Sequence, residues 1–270
     1  MAATVRLPAV AGRFYPDEPD VLRAEVNSYL DTTRQHTSAL GCIVPHAGYI
    51  YSGHVAGAVY SELQIPARCI VICPNHTGRG QALSIMSSGE WETPLGRISI
   101  DSKLAGSLKQ KFPMLTEDTE AHRTEHAVEV QLPFLQVFKQ DFTFVPIVLG
   151  TRKCEILEAL GLAIAEVLAQ QSDPVLIISS SDMNHYENDR LTRIKDHKAI
   201  DQVLALNPRG LFDVVTQEEI SMCGFGPSVA MLAATKQLGA KHAELIKYAT
   251  SGDVSGDRDM VVGYAGIVIR

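Results

Sequence analysis

Four residues of metal-binding type, His46, His76, His185 and Cys223, each sit just past an apolar, strand-like run. Open α/β sheets build their sites outside the carboxyl ends of their strands. The repetition therefore points to a sheet whose loops converge on one rim. Imidazole and thiolate are the side chains that hold iron, copper or zinc. A metal pocket is the first expectation.

The 270 residues are 46% hydrophobic, which supplies an ample core, and they contain no internal repeat and no low-complexity linker. Residues 1–270 are therefore read as a single domain. The net charge of −7 is spread without long blocks of one sign, which argues against nucleic acid as a partner. Residues 1–16 lack the basic start and apolar core of a signal peptide. No apolar run approaches the roughly 18 residues that suggest a membrane span. Five cysteines, mostly inside apolar segments, read as reduced thiols packed as small hydrophobes, and so as a cytoplasmic protein. Cys69 and Cys73 have no second pair with which to complete a zinc knot.

Residues 7–16 read as an irregular arm and 19–30 as a first helix, followed by a polar loop over 31–38. An apolar strand over 39–44 ends at Pro45-His46-Ala47-Gly48, and Ser52 is the expected cap of a helix through about residue 63. A second apolar strand, 69–73, runs into the loop 74–80 that carries His76. Segments 82–86 and 97–100 read as a hairpin-like pair around 89–96. Strands are expected at 142–149, 175–179, 243–250 and 260–269, and helices at 155–171, 196–205 and 227–238. Alternating strands and helices predict a layered α/β sandwich, and the closing strand pair predicts a mixed central sheet.

His46 lies in a tightly specified loop, because Pro45 removes an amide donor while Gly48 and Gly53 allow sharp turns. His76 has a similar setting. For both, a ligand role competes with a bond to a backbone carbonyl. Asp182 precedes His185 by three residues and would fix its tautomer and raise its basicity, leaving His185 as a ligand or a general base. Cys223 directly precedes a proposed helix, whose amino terminus would favour the thiolate. Glu125 and Glu129 stand at helical i,i+4 spacing, so an ordinary charged helix start accounts for much of the stretch around His122 and His126. His126, Glu125 and His54 are the further candidates for lining the pocket. The chain contains no HExxH, GxSxG or Walker motif, and no GxGxxG after a strand.

Together these stretches resemble the Memo family, also called the AmmeMemoRadiSam system protein B group. The matching pieces are Ala11-Gly12-Arg13-Phe14-Tyr15-Pro16, Pro45-His46-Ala47-Gly48-Tyr49, Pro74-Asn75-His76, Trp91-Glu92-Thr93-Pro94-Leu95-Gly96, the run from Glu125 to Pro133, Ser180-Ser181-Asp182 with His185, and Cys223-Gly224. They span nearly the whole chain. That family is similar to the catalytic subunits of class III extradiol dioxygenases, the LigB-like α/β fold, which use non-haem iron. The resemblance implies that His46 and His76 match the two histidine ligands. It puts Cys223 where the dioxygenases have a carboxylate ligand, and His185 where they have the acid–base histidine. A thiolate is softer than a carboxylate and open to oxidation, so it also suits copper or zinc. The resemblance thus extends to the pocket and not to ring cleavage. It also implies radical-SAM and AMMECR-type partner proteins in microbes.

Four functions follow as expectations. A redox-active metal enzyme would hold iron or copper on His46, His76 and Cys223, with O₂ or a small organic substrate alongside and His185 and Asp182 moving protons. A zinc hydrolase would activate water at the same place. A non-catalytic module would bind a metal or an anionic peptide. A cysteine nucleophile would use Cys223 with His185 as base.

Overall fold

Apolar runs with no polar side to present to water must be covered on both faces, and the central strands of this chain are. The computed structural model describes residues 4–270, so residues 1–3 of the segment examined for a signal peptide lie outside it. In chain order the strands are β1 (Val5–Arg6), β2 (Gly41–Val44), β3 (Arg68–Pro74), β4 (Leu83–Ile85), β5 (Glu90–Thr93), β6 (Gly96–Ser99), β7 (Thr116–Glu117), β8 (Thr143–Leu149), β9 (Leu176–Ser180), β10 (His185–Glu187), β11 (Ala243–Thr250) and β12 (Val261–Ile269). The helices are α1 (Pro19–Tyr29), α2 (Tyr49–Glu62), α3 (Ser102–Lys111), α4 (Glu120–Arg123), α5 (Leu132–Phe138), α6 (Cys154–Leu168), α7 (Asp189–Leu204), α8 (Pro208–Gln217), α9 (Phe225–Gln237) and α10 (Gly252–Ser255).

Nine strands form one mixed sheet in the order β10-β12-β2-β9-β3-β8-β4-β7, with β11 also paired to β12. β2, β9, β3 and β8 run parallel at its centre, whereas β12 and β4 flank them antiparallel. Side chains alternate between faces with period two. Ile43, Ile70, Ile72, Val145, Ile147 and Ile177 pack with α6 and α9. Cys42, Val44, Cys69, Val71, Cys73 and Ile178 pack beneath α2 and α5 on the opposite face. All five cysteines are free thiols. α6 and α9 approach closely at Gly161, where a Cβ would stand 2.3 Å from the Ala230 carbonyl oxygen. The layered α/β sandwich and its mixed sheet are therefore present as expected.

Some local expectations are corrected. The segments at 82–86 and 97–100 do not pair with each other: β4 is fully buried and joins β8, while β6 folds back on β5. Gly89 and Gly96 adopt φ of 106° and 118°, which isolates that hairpin as part of a three-stranded sheet with β1. Ser52 does not cap α2. The helix starts at Tyr49 after Gly48, and the Ser52 hydroxyl donates to the Ala47 carbonyl inside the first turn. The helix expected at 196–205 begins at Asp189, because the Asn188 side chain accepts from the Leu191 amide and caps it there. Among the described residues, no helix is long and apolar enough to cross a membrane.

Candidate metal centre

β9 lies between β2 and β3, so the loops after these three parallel strands emerge side by side at one rim. They carry His46, Asp182 and His76. Cys223 arrives from the other side of the sheet, on the turn between α8 and α9. Gly224 allows this approach, since a Cβ there would stand 2.4 Å from the Ser181 side chain. The Gly224 amide donates to Ser181 Oγ, and the Asp182 amide donates to Cys223 Sγ at 3.3 Å. The cysteine turn is thus fastened onto the β9 loop.

The ligand atoms of His46, His76 and Cys223 lie within 4.8 Å of one another. Cys223 Sγ is 3.2 Å from His46 Nε2. The rings of His46 and His76 meet edge to face with centroids 5.1 Å apart. His126 completes a three-histidine cluster, stacked on His76 at 4.7 Å and edge-on to His46 at 5.4 Å. A second set, His76, Glu125 and His126, also brings its ligand atoms within 4.8 Å and shares His76 with the first. In that set Glu125 is already committed to hydrogen bonds with His76.

Hydrogen bonds fix which ring nitrogens are free. Ser180 Oγ donates to the Ala127 carbonyl and accepts from Gln131 Nε2. Its remaining contact, 3.0 Å from His46 Nδ1, must therefore be an acceptor for that ring N–H. The lone pair of His46 then sits on Nε2, facing Cys223. Glu125 accepts from the His76 amide at 2.8 Å and from His76 Nδ1 at 2.9 Å, which leaves His76 Nε2 free in the same way. A carboxylate behind a ring N–H orients a metal-binding imidazole and strengthens it as a donor.

Burial, with help from the neighbouring His76, holds His46 well below the usual imidazole range. His126 falls to about 4, through burial first and then the nearby His46. Burial, the largest single influence, would raise Glu125, yet its bond to His76, the His76 and His126 rings and the Ala127 amide together outweigh that and pull it down to about 2. For His76, burial lowers and Glu125 raises, with a net rise. The expected activation of Cys223 by its helix does not occur in this state. Burial, followed by the Asp182 carboxylate, pushes the thiol up.

The cluster and the loops that hold it fall within a stretch that matches a known family. A family model described as Memo-like protein covers residues 6–268. The chain belongs to the Memo-like family. A MEMO1 family protein from Methanopyrus kandleri is 42% identical over 279 residues, covering 98% of this chain and 99% of that one. A MEMO1 family protein from Methanosarcina barkeri is 43% identical over 268 residues, covering 98% and 100%. Among solved structures, an uncharacterized protein from Escherichia coli K12 has a similar fold, with a TM-score of 0.56 at 11% identity over 84% of this chain and 98% of that one.

Within this Memo-like chain Asp182 and His185 are arranged differently from the expected pair. Asp182 Oδ1 accepts from the His46 amide at 2.7 Å, and its other oxygen lies 4.0 Å from His46 Nε2. The tautomer of His185 is set by Ser221, whose carbonyl is 3.0 Å from Nδ1 and whose hydroxyl accepts from the His185 amide. His185 Nε2 is left open at the edge of the site. His54 stands apart: it is lowered by burial first, and the charges that act on it are Lys247 and Asp253 rather than the cluster. The i,i+4 reading of Glu125 and Glu129 is also corrected. Both carboxylates are fully buried, and the segment forms only a 3-10 turn at Glu129–Gln131. Glu129 accepts from Arg6, the Ala9 and Val10 amides and the Tyr15 hydroxyl, which ties down the N-terminal arm. Ser180, Gln131 and Ser221 were missed by sequence reasoning, although Ser180 and Gln131 lie inside the family stretches.

Proposed function

We propose that this protein is a metal-dependent redox protein that holds iron or copper on His46, His76 and Cys223. The observation carrying this reading is the convergence of three ligand atoms whose two imidazoles each have the opposite nitrogen committed to a hydrogen-bond partner. That donor set fits a borderline or soft transition metal better than a hard one. Bound there, such a metal would supply one-electron and Lewis-acid chemistry toward O₂ or a small organic substrate.

The surrounding groups then have separate tasks. Glu125 holds His76 and its loop, and Ser180 holds His46 in one tautomer. Asp182 anchors the His46 backbone and, through its amide, the Cys223 sulfur. His185, with Nδ1 committed to Ser221, offers Nε2 for taking up or giving back a proton. The five free thiols suit a reduced cytoplasmic compartment. Family resemblance adds radical-SAM and AMMECR-type proteins as candidate partners, testable by co-purification from the native cell.

The deciding experiment is anaerobic purification followed by metal analysis per chain, with His46→Ala and Cys223→Ser as controls. Near-stoichiometric iron or copper, lost in both variants, is the expected result, and oxygen-consumption assays follow from it. Zinc lost in the same manner would favour a hydrolase. A folded protein that takes up no metal after reconstitution would overturn the reading.

A further inference from the structure

One cavity shares a wall with the cluster. It encloses about 420 Å³ between Arg152 and the segment 215–223, and Cys223 is part of its lining. Its lining carries one cation, Arg152, and one carboxylate, Glu219. Arg152 forms no ion pair among the described residues, and its guanidinium lies 4.6 Å over the Phe225 ring. That cation–π contact locates the group while leaving its N–H donors free. Arg152 also sits just before the first turn of α6, and Phe225 opens α9, so two helix amino termini add positive potential around Arg152.

Glu219 follows the carboxyl end of α8 at φ 51°. Neighbouring cations are engaged elsewhere, Lys198 with Glu218 and Arg209 with Glu155 and Glu158, and Glu219 has no ion-pair partner among the described residues. Thr216 and Ser221 add polar lining, and Val215, Ile220 and Met222 add apolar surface. Arg13 is also unpaired, but the groove it lines, about 580 Å³, includes none of His46, His76 and Cys223.

We infer that this cavity binds a small zwitterion, with its carboxylate on Arg152 and its ammonium on Glu219, and so presents the ligand's chain to Cys223. The inference rests on the proposed metal centre only for the ligand's role as substrate. Binding itself requires no metal, and the two can fail separately.

The test is an amide chemical-shift titration of the full, metal-free chain with 4-aminobutyrate, butyrate and butylamine. 4-Aminobutyrate is expected to bind about fivefold more tightly than either single-charge analogue, with shifts concentrated at residues 151–153 and 215–224. Arg152→Gln should reduce its affinity to that of butylamine, and Glu219→Gln to that of butyrate. Both side chains are exposed, so the variants keep the fold. Equal affinity for all three probes, butyrate binding as well as 4-aminobutyrate, no binding at all, or indifference to both substitutions would each overturn the inference. A second titration uses cobalt(II)-loaded protein and its visible absorption. A band shift caused by 4-aminobutyrate in the wild type, absent in the double variant, is the expected link to the cluster. An unmoved band with binding intact would overturn the substrate role. Failure of wild type to form a cobalt–thiolate band would count against the metal centre, with zwitterion binding decided by the first titration.

Discussion

Glu129 and Asp182 are both buried carboxylates, and they differ in what surrounds them. Glu129 accepts from a guanidinium, two backbone amides and a phenol. Arg6, in turn, is held by the His122 and Glu125 carbonyls and lies 4.3 Å over the Trp91 ring. Asp182 accepts a single hydrogen bond, from the His46 amide, and burial raises it above the usual carboxylate range. One charge is fully matched by its donors. The other is undermatched and faces three histidines. Under the proposed function, a fold that satisfies one carboxylate so thoroughly and leaves another short of donors has yielded stability to chemistry at the second.

The sharpest way to break this comparison is to remove both charges in turn. Glu129→Gln leaves Arg6 buried without its counter-charge, and the loss expected for such a pair is about 3–5 kcal/mol. A urea melt should show it, and an unchanged midpoint would mean that the latch contributes nothing. Glu125→Gln comes next and acts on the site. Loss of the carboxylate behind His76 should weaken metal binding about 10–100-fold, read by competition with a chelator. In the metal-free protein this pair also sets a pH window. Glu125 is lowered to about 2, so its contribution is present above the ordinary carboxylate range and is lost as pH falls through that value. His76 is raised, so its contribution is present below the ordinary imidazole range and is lost as pH rises through its folded value. The destabilisation by Glu125→Gln should therefore be greatest in mildly acidic solution, between the two ranges, and melts that show no such maximum would refute the pairing. Asp182→Asn should have the opposite sign to Glu129→Gln. Removing an undermatched buried charge is expected to hold or raise stability by about 1 kcal/mol, and a large loss would erase the contrast between the two sites.

Much of this arrangement could be read from the sequence because it is local. Runs such as Cys69–Cys73 fix the two-faced strands, and a histidine directly after such a run is bound to lie at the sheet's rim. The chain could not reveal which loops become neighbours. β9 inserts between β2 and β3, so Asp182 falls beside His46 rather than beside His185, three residues along its own chain. Arg6 and Glu129 are separated by 123 positions, and no periodicity links them. The i,i+4 spacing of Glu125 and Glu129 imitates a solvated helix face, while burial against the N-terminal arm and His76 gives both residues different work. His54 misled for the converse reason, since closeness to His46 in sequence does not survive the path of α2. The family stretches contained Ser180 and Gln131, yet only their hydrogen bonds show what each does.

Asp196 provides the finest test, because it lies between the two extremes. It is fully buried on α7, accepts from the Asn184 amide at 2.8 Å and the Tyr248 hydroxyl at 2.7 Å, and is pushed up to about 7, chiefly by burial. A carboxyl raised in the folded state binds its proton more tightly there than in the unfolded chain. Its contribution is therefore fully present below the ordinary carboxylate range and is lost as pH rises toward 7. Asp196→Asn should remove that slope, leaving the variant more stable than wild type at pH 8 by about 1 kcal/mol and no more stable at pH 4. The gain stays small because the amide can replace only one of the two acceptors. The same network reaches the rim, since Asn184 Oδ1 accepts from Ser221, which holds His185. Parallel melts at the two pH values, with the His185 ring signals followed by NMR, separate the outcomes. A flattened slope with unmoved His185 signals would class Asp196 with Glu129 as a residue of the scaffold. A displaced His185 ring would place it with Asp182, as part of what positions the site.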